Sequence, residues 1–255
     1  SSFVNSLLKE DRVIVSNVPG TTRDSIDSHY ERNGNEYVLI DTAGLRRQRS
    51  VDDRIEKFSI IRTYNAVDRA DMCLFFIDAT EGVTEQDSKI IGYAHNMRKD
   101  SIIVVNKWDL IQKDNYTFRE FETEVRNKLG FAIYAPIVFI SVKTGQRVDK
   151  LFDLIDQVNE NYSFRIKTGV LNDLLRDAML LNPPPTKKGQ RLKIYYMSQV
   201  STRPPKFVLH VNDKELFHFS YQRYIENKIR ENFNFQGVPL VFEIRNKEYK
   251  LWNLC

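Results

Sequence analysis

A short polar run after an apolar stretch offers the most specific chemistry in the chain. Residues 104–109 read Val-Val-Asn-Lys-Trp-Asp. The Asp109 carboxylate presents two acceptors in one plane and guanine presents two adjacent donors on one edge, so the two can form a bidentate pair that adenine cannot form. The aliphatic stem of Lys107 can lie over the base plane, and Asn106 can brace the neighbouring loops. The alternative interpretation is a solvated turn after a strand.

Two upstream segments carry groups that suit a phosphate and a magnesium ion. Asp41 and Gly44 follow an apolar run; the carboxylate can hold magnesium through water, and the glycine lets the backbone approach a terminal phosphate. An aspartate that only caps the following helix would give the same pattern. Residues 19–24 read Pro-Gly-Thr-Thr-Arg-Asp, where Thr22, or alternatively Thr21, can ligate magnesium when a phosphate draws the loop inward. A polar loop is the alternative for this segment.

A further segment follows the next apolar run. Residues 139–145 read Phe-Ile-Ser-Val-Lys-Thr-Gly. A backbone N–H near Val142 can reach the carbonyl oxygen of guanine, with Ser141 supporting the loop and Lys143 next in the turn. By itself the segment is typical of any turn from a strand to a helix, and its position one strand after Asp109 gives it weight.

Apolar periodicity predicts the elements that position these segments. Four short, almost unbroken apolar runs are typical of strands covered on both faces, and stretches with helical spacing lie between them. The predicted strands are Tyr37–Ile40, Met72–Ile77, Ile102–Val105 and Ile137–Ile140, and the predicted helices cover about residues 55–67, 86–97, 118–129 and 148–158. The alternation predicts an α/β domain with a mostly parallel sheet and helices on both faces, which binds ligands at the carboxyl ends of its strands.

The last third of the chain predicts a separate unit with the order helix–strand–strand–helix–strand. The predicted elements are a helix over Val170–Leu181, strands over Leu192–Val200 and Lys206–Val211, a helix with Tyr221, Tyr224, Ile225, Ile229 and Phe233 on one face, and a strand over Pro239–Ile244. Pro183 ends the first helix, because proline cannot continue it.

Composition and charge bound the classes of protein. Of the 255 residues, 42% are hydrophobic and 28% are charged, which excludes collagen-like and largely disordered chains. The apolar runs are all shorter than the roughly 18 residues that span a bilayer. Only Cys73 and Cys255 occur, which excludes a disulfide framework and indicates a reducing compartment. Residues 1–167 carry a net charge of −2 and residues 168–255 a net charge of +6, which indicates two domains with different partners.

The four polar segments, in this order, resemble those of GTPases of the translation-factor class. The closer resemblance is to the bacterial Der (EngA) family, whose members carry two consecutive GTPase domains followed by a small KH-like domain. The matching residues are Phe3–Leu8, Pro19–Asp24, Asp41–Gly44, Glu85–Asp87, Gly92–His95, Asn106–Asp109, Tyr134–Val138, Leu171–Asp173, Gly189–Tyr196, Val211–Asp213 and His218–Tyr221. The resemblance implies a P-loop GTPase-like domain over residues 1–164 and an α+β KH-like domain over residues 165–255.

The resemblance also implies which residues bind the nucleotide and the metal. The expected contacts of GTP or GDP are Ser1, Ser2, Thr22, Asp41, Gly44, Asn106, Lys107, Asp109, Ser141, Val142 and Lys143, and the expected ligands of Mg²⁺ are Ser1, Thr22 and Asp41. Hydrolysis would proceed by in-line attack of water. Leu45 stands where Ras-like enzymes place a water-orienting glutamine, so no catalytic residue is assigned. The resemblance implies slow intrinsic turnover, assistance by K⁺ near the phosphates and stimulation by a partner.

The phosphate loop of the family, Gly-x-x-x-x-Gly-Lys-Ser, does not occur in the sequence. Residues 1–5 resemble the start of the helix that follows this loop. We therefore expect the intact protein to carry the loop, its strand and another GTPase domain before Ser1. The chain as given is expected to bind GTP poorly and to show weak or no hydrolysis.

The expected partners also follow from the resemblance. It implies a cytoplasmic, ribosome-associated monomer without a membrane span that assists assembly of the large ribosomal subunit and contacts its rRNA. One alternative is an Era-like GTPase with an RNA-gripping KH domain, but that grip uses a Gly-x-x-Gly loop, and no two of Gly169, Gly189 and Gly237 stand three apart. The other alternative is a nucleotide-independent module that binds RNA or protein.

The aromatic and histidine side chains of the last third are predicted to be structural. Aromatic residues are not enriched there, so composition gives no support for a surface that stacks nucleobases. Tyr221, Tyr224 and Phe233 are predicted to lie in the core. His210 and His218 have no Cys or His partners at metal-ligand spacing, which favours structural roles.

Overall fold

The computed structural model describes residues 2–7, 13–14, 27–40, 53–187 and 189–247. The chain divides into two compact units, residues 1–154 and 155–255, and the division falls inside a long helix. It lies before the boundary at residue 164 that the resemblance implies, which stays a prediction.

The first unit combines two small sheets with helices. Its strands are β1 (Val13–Ile14), β2 (Ser28–Arg32), β3 (Asn35–Leu39), β4 (Met72–Asp78), β5 (Asp100–Asn106) and β6 (Ile137–Phe139). Its helices are α1 (Ser2–Leu7), α2 (Asp53–Arg69), α3 (Glu85–Asn96), α4 (Thr117–Lys128) and the first part of α5 (Val148–Ser163). Strands β4, β5 and β6 form a parallel sheet in that order, which confirms the predicted strand–helix alternation.

Strand β5 lies at the centre of this unit's core. Its apolar residues Ile102–Val105 are fully buried, because a central strand of a parallel sheet is covered on both faces. Helix α3 packs nearby and begins with a capping box, in which Thr84 Oγ1 accepts from Asp87 N–H at 3.1 Å and Asp87 Oδ2 accepts from Thr84 N–H at 2.9 Å. Among the described residues, no helix is long and apolar enough to cross a membrane.

One predicted strand was assigned to the wrong kind of sheet. The predicted strand Tyr37–Ile40 overlaps β3 (Asn35–Leu39), which pairs antiparallel with β2 and is partly exposed, with Val38 at 52%. The reason is the turn Asn33-Gly34, whose two residues both have positive φ angles and close a tight hairpin. Since the hairpin pairs β3 with the strand directly before it, β3 is not covered on both faces as a parallel strand would be.

The second unit has the predicted order of elements plus one short hairpin. After the end of α5 come α6 (Thr168–Leu181), β7 (Thr186–Lys187), β8 (Gln190–Arg191), β9 (Ile194–Thr202), β10 (Pro205–Val211), α7 (Phe219–Asn232) and β11 (Val241–Asn246). Strands β9, β10 and β11 form one sheet with β10 in the middle, antiparallel to β9 and parallel to β11. The hairpin β7–β8 was not predicted.

The core of the second unit lies between this sheet and helices α6 and α7. Tyr221 is 5% exposed and Tyr224 and Phe233 pack against the same core, as predicted. Both tyrosine hydroxyls donate to carbonyl oxygens at the end of α6, Tyr221 to Asn182 and Tyr224 to Ala178, each at 2.8 Å. These bonds satisfy the hydroxyls of one buried ring, Tyr221, and one partly buried ring, Tyr224.

Three polar residues in the segments that carry the family resemblance fasten this unit. The side chain of Asn172 on α6 accepts from Met197 N–H at 2.9 Å and donates to the Met197 carbonyl oxygen at 2.8 Å. It therefore satisfies both backbone groups of one residue of β9, as a residue of an adjacent strand would. Asn212 accepts from Lys193 N–H at 2.8 Å. His218 caps α7 by accepting from the N–H two residues later, which confirms a structural role.

Gly237 is required by both its backbone angle and its surroundings. Its φ is +82°, and a Cβ at this position would overlap the side chain of Val158 in the second part of α5. Any other residue would strain the backbone and push apart two packed segments.

Candidate nucleotide-binding site

The carboxyl ends of the three parallel strands meet at one edge. Asp78 at the end of β4 pairs in register with Asn106 at the end of β5, and Val105 pairs with Phe139 at the end of β6. The loops that follow β5 and β6 are therefore neighbours, which is the edge where parallel sheets bind ligands. The structure thus brings the predicted segments 104–109 and 139–145 together.

Asn106 braces these loops, as predicted. Its side-chain oxygen accepts from Val142 N–H at 3.0 Å, and its backbone oxygen accepts from Ala79 N–H at 2.9 Å. Because the Val142 N–H is engaged by Asn106 here, a bond from this donor to the carbonyl of guanine would compete with Asn106. The assignment of a donor near Val142 to guanine stays a prediction.

Lys107 turns the chain and pairs with a residue that the sequence analysis missed. Its φ of +62° and ψ of +29° place it in the left-handed region, which directs the chain sharply out of β5. Its ammonium forms an ion pair with Asp78. This pair, helped by the hydroxyl and N–H of Thr80, lowers the pKa of Asp78 to about 2, and the same pair raises the pKa of Lys107. The sequence signal that could have identified Asp78 is its position directly after an apolar run, as an aspartate at the end of a strand.

Trp108 anchors the loop between Lys107 and Asp109. Its side chain is 4% exposed and packs edge-on against Phe139, with ring centroids 4.5 Å apart. The backbone N–H of Trp108 donates to the carbonyl oxygen of Ile140 at 3.1 Å. A large buried ring between two polar residues fixes both of them relative to the sheet.

Asp109 is held by Ser141 from the adjacent loop. Ser141 is fully buried, its Oγ accepts from Thr144 N–H at 3.2 Å, and its hydroxyl bonds to the Asp109 carboxylate. This bond is the largest cause of the lowered pKa of Asp109, and the charges of Lys143 and Lys113 lower it further. The carboxylate is therefore ionised at neutral pH.

One oxygen of this carboxylate has nothing to accept within the described part of the chain. Asp109 Oδ1 is buried, yet no described residue donates a hydrogen bond to it. A buried acceptor without a donor is unfavourable, because it has lost its hydrogen bonds to water without replacing them. The arrangement suits a ligand that brings two adjacent N–H donors, as the edge of guanine does.

The remaining predicted site residues lie outside the part of the chain whose side chains the structure describes. These are Ser1, Ser2, Thr22 with its alternative Thr21, Asp41 and Gly44, of which only the position of Ser2 at the start of α1 is described. Lys143 is exposed in the turn after Ser141. The phosphate and magnesium assignments therefore stay predictions.

Known proteins match both parts of the chain. Residues 1–107 match a family model described as "50S ribosome-binding GTPase", and residues 165–245 match one described as "KH-domain-like of EngA bacterial GTPase enzymes, C-terminal". Proteins named GTPase Der from Finegoldia magna and from Ruminiclostridium cellulolyticum are each 57% identical to this chain, over 97% of its length. The chain belongs to the Der (EngA) family of GTPases. It covers 56% of the length of each of these two Der relatives.

Membership of the Der family explains the two kinds of unit. The unit with the parallel sheet has the P-loop GTPase-like fold, and the helix–strand–strand–helix–strand unit is the KH-like fold that the family model describes. Among solved structures, an Era variant from Aquifex aeolicus bound to GDP·AlF4⁻ matches with 22% identity and a TM-score of 0.47, over 97% of this chain and 88% of that one.

Proposed function

We propose that this chain is the guanine-nucleotide-binding and KH-like part of a GTP-hydrolysing switch protein that assists assembly of the large ribosomal subunit. The observation that carries the nucleotide assignment is the buried Oδ1 of Asp109, which accepts no hydrogen bond from the described residues. The family assignment supports the rest, since the matching model is described as a ribosome-binding GTPase.

The residues around Asp109 would select guanine in the following way. The ionised carboxylate accepts from the ring N–H and the exocyclic amine of the base, while Ser141 and the anchored Trp108 keep the carboxylate in place. Adenine offers no such pair of donors and would leave the buried charge unpaired, a mismatch that rejects ligands by large factors. Lys107, held by Asp78, would cover the base plane with its aliphatic stem.

The chemical step in this proposal is the attack of water on the terminal phosphate of GTP, which gives GDP and inorganic phosphate. Mg²⁺, with Ser1, Thr22 and Asp41 as its proposed ligands, and K⁺ would supply positive charge at the phosphates. Leu45 carries no group that could orient water, which is consistent with slow turnover and stimulation by a partner.

The proposed partner is the large ribosomal subunit with its rRNA, and the proposed location is the cytoplasm. The net charge of +6 over residues 168–255 supports contact with phosphates by the KH-like unit. A monomer and a preceding GTPase domain in the same intact protein are part of the proposal.

Nucleotide titration of the intact protein tests the assignment. We expect calorimetry to show binding of GDP and GTP and no comparable binding of ADP or ATP. In the Asp109→Ala variant we expect loss of the one guanine-nucleotide site that this chain forms, while the site of the proposed preceding domain remains. Equal affinity for GTP and ATP would refute the role of Asp109. Sedimentation with large ribosomal subunits in the presence of GTP or GDP tests the partner, and co-sedimentation in neither state would contradict it.

A further inference from the structure

The sheet of the second unit has one face packed on the core and one face that carries rings and charges. Phe207, Leu209 and Val211 of β10 belong to the core cluster with the helices. Because side chains alternate along a strand, Lys206 and His210 lie on the opposite face.

Two of its rings are stacked. Tyr196 of β9 lies directly opposite His210 of β10, and their rings are 4.2 Å apart with an angle of 13° between their planes. Tyr196 is 42% exposed, so the stack is not enclosed by other side chains. Cross-strand pairing keeps the two rings parallel without a ligand.

A β-bulge places a third ring beside this stack. His210 pairs with Tyr196 and Val211 pairs with Ile194, which leaves Tyr195 as the extra residue of β9. Tyr195 is 37% exposed, and the ammonium of Lys247 lies 4.5 Å from the centre of its ring. The bulge thus brings two consecutive tyrosines to the surface where a regular strand would bury one.

Cations border the rings. Arg245 of β11 is in register with His210, and its side chain is 53% exposed. Arg245 and Lys206 each lie 2.5 Å from an oxygen of Glu243, and these two cations lower the pKa of Glu243 to about 2. The charges of Lys206, Arg245, Lys247 and Glu243 sum to +2.

We propose that this face, formed by Tyr195, Tyr196, His210, Arg245 and Lys247, binds unpaired nucleotides of single-stranded RNA. A base would stack on the exposed rings, since every nucleobase has a π face, and the adjacent phosphates would contact the two cations. An acidic peptide would match the charges but would leave the stacked rings without a function. The inference rests on the proposed contact with rRNA and adds the face and the form of RNA that it takes.

Binding of a fluorescein-labelled, single-stranded RNA of eight nucleotides, followed by anisotropy, tests the stack. We expect Tyr196→Leu to raise the Kd by about 5- to 160-fold, which is the range measured for loss of one base–aromatic stack. Tyr196→Phe keeps the ring and should bind as the unchanged protein does. Phe219→Ala, which removes a ring 64% exposed on α7, is the matched control and should have no effect.

A second measurement needs no variant and therefore does not depend on the folding of one. The same RNA with its central bases replaced by abasic sites should bind the unchanged protein more weakly by a similar factor, and Tyr196→Leu should not distinguish the two RNAs. For the cations, Arg245→Gln should reduce the slope of log K against log salt concentration by about 0.7.

Three results would overturn the proposal. They are equal affinity for the abasic and the complete RNA, equal affinity for a duplex of the same sequence, and displacement of the RNA by a glutamate-rich peptide at lower concentration than by unlabelled RNA. Failure of the proposed function is distinguishable from these: RNA binding that depends on Tyr196 without any association with ribosomal subunits would leave this face in place and remove the partner. Association with subunits that is unaffected by Tyr196→Leu would do the reverse.

Discussion

The Asp109→Asn substitution changes one atom at the buried edge of the candidate site and reverses its hydrogen-bonding character. Ser141 already accepts from Thr144 N–H, so its hydroxyl donates to the side chain at position 109. In the variant this donor selects the amide oxygen, which places the amide nitrogen at the buried Oδ1 position. The amide N–H at this position would face the N–H donors of guanine, which is unfavourable. Xanthine carries a carbonyl oxygen where guanine carries its exocyclic amine, so the amide N–H can donate a hydrogen bond to xanthine.

The expected magnitude follows from the bonds that change. For GDP, the variant loses a hydrogen bond to a charged group, about 1.5–3 kcal/mol, and leaves a buried donor unpaired, about 1–3 kcal/mol. Together these are about 2.5–6 kcal/mol, or a Kd roughly 10²- to 10⁴-fold higher. For XDP the repulsion between two acceptors becomes a hydrogen bond, and we expect a Kd lower by roughly 10- to 100-fold.

The assay is competition against a fluorescent guanine nucleotide, performed on this chain so that the site of the proposed preceding domain does not contribute. GDP and XDP carry the same ribose and diphosphate, so every phosphate contact cancels in the ratio of their Kd values. The ratio therefore reports on the base site alone. Asp153→Asn, which removes an exposed carboxylate from α5, is the matched control and should leave the ratio unchanged.

Two outcomes would refute the reasoning. An unchanged ratio in a folded Asp109→Asn variant would mean that this carboxylate does not face the base. Equal weakening of GDP and XDP would mean that Asp109 acts only on the structure of the loop.

Three further predictions concern the supports of the site and the fold. Ser141→Ala removes the hydrogen bond that holds Asp109, so the pKa of that carboxyl should rise towards its ordinary value in an NMR titration, with GDP bound about 5- to 20-fold more weakly. Gly237→Ala strains a backbone with φ +82° and overlaps the valine of α5, so thermal denaturation should show a free energy of unfolding lower by about 2–4 kcal/mol, whereas Gly169→Ala, in a helix with open space around it, should be neutral or stabilising; an equal response of the two would contradict the clash. The pKa of Asp78 is lowered to about 2, so its ion pair stabilises the fold above the unfolded pKa near about 4 and is lost as the pH falls towards 2; melting curves should decline less steeply over this interval in Asp78→Asn, and parallel curves would exclude the pair as a source of stability.

Most regular elements could be predicted from the sequence because their signals are local. The apolar run 72–77 became β4, the run 102–105 lies within β5, and the helical spacing from residue 118 to 129 corresponds to α4. The error at β3 has a local cause as well, since the Asn-Gly turn before it indicates a hairpin and was not used. The segment around Asp109 could be recognised from residue types. A carboxylate that follows a strand together with Asn106 and Lys107 suits the recognition of guanine, and few other functions need all three residues.

The contacts of individual side-chain atoms in the proposed sites were determined only by the tertiary structure. The sequence identified Asp109 and Ser141 as neighbours in one site, but only the parallel register of β5 and β6 puts the serine hydroxyl on one carboxylate oxygen and leaves the other buried without a described donor. The pairing of Lys107 with Asp78 depends in the same way on the register of β4 and β5. On the second unit, a count of aromatic residues gave no support for a stacking surface, whereas one bulge in β9 brings two tyrosines and a histidine together on an exposed face. Composition and spacing describe residues that are close in the sequence. These contacts join residues that are far apart in the sequence, so only the folded structure determines which groups meet.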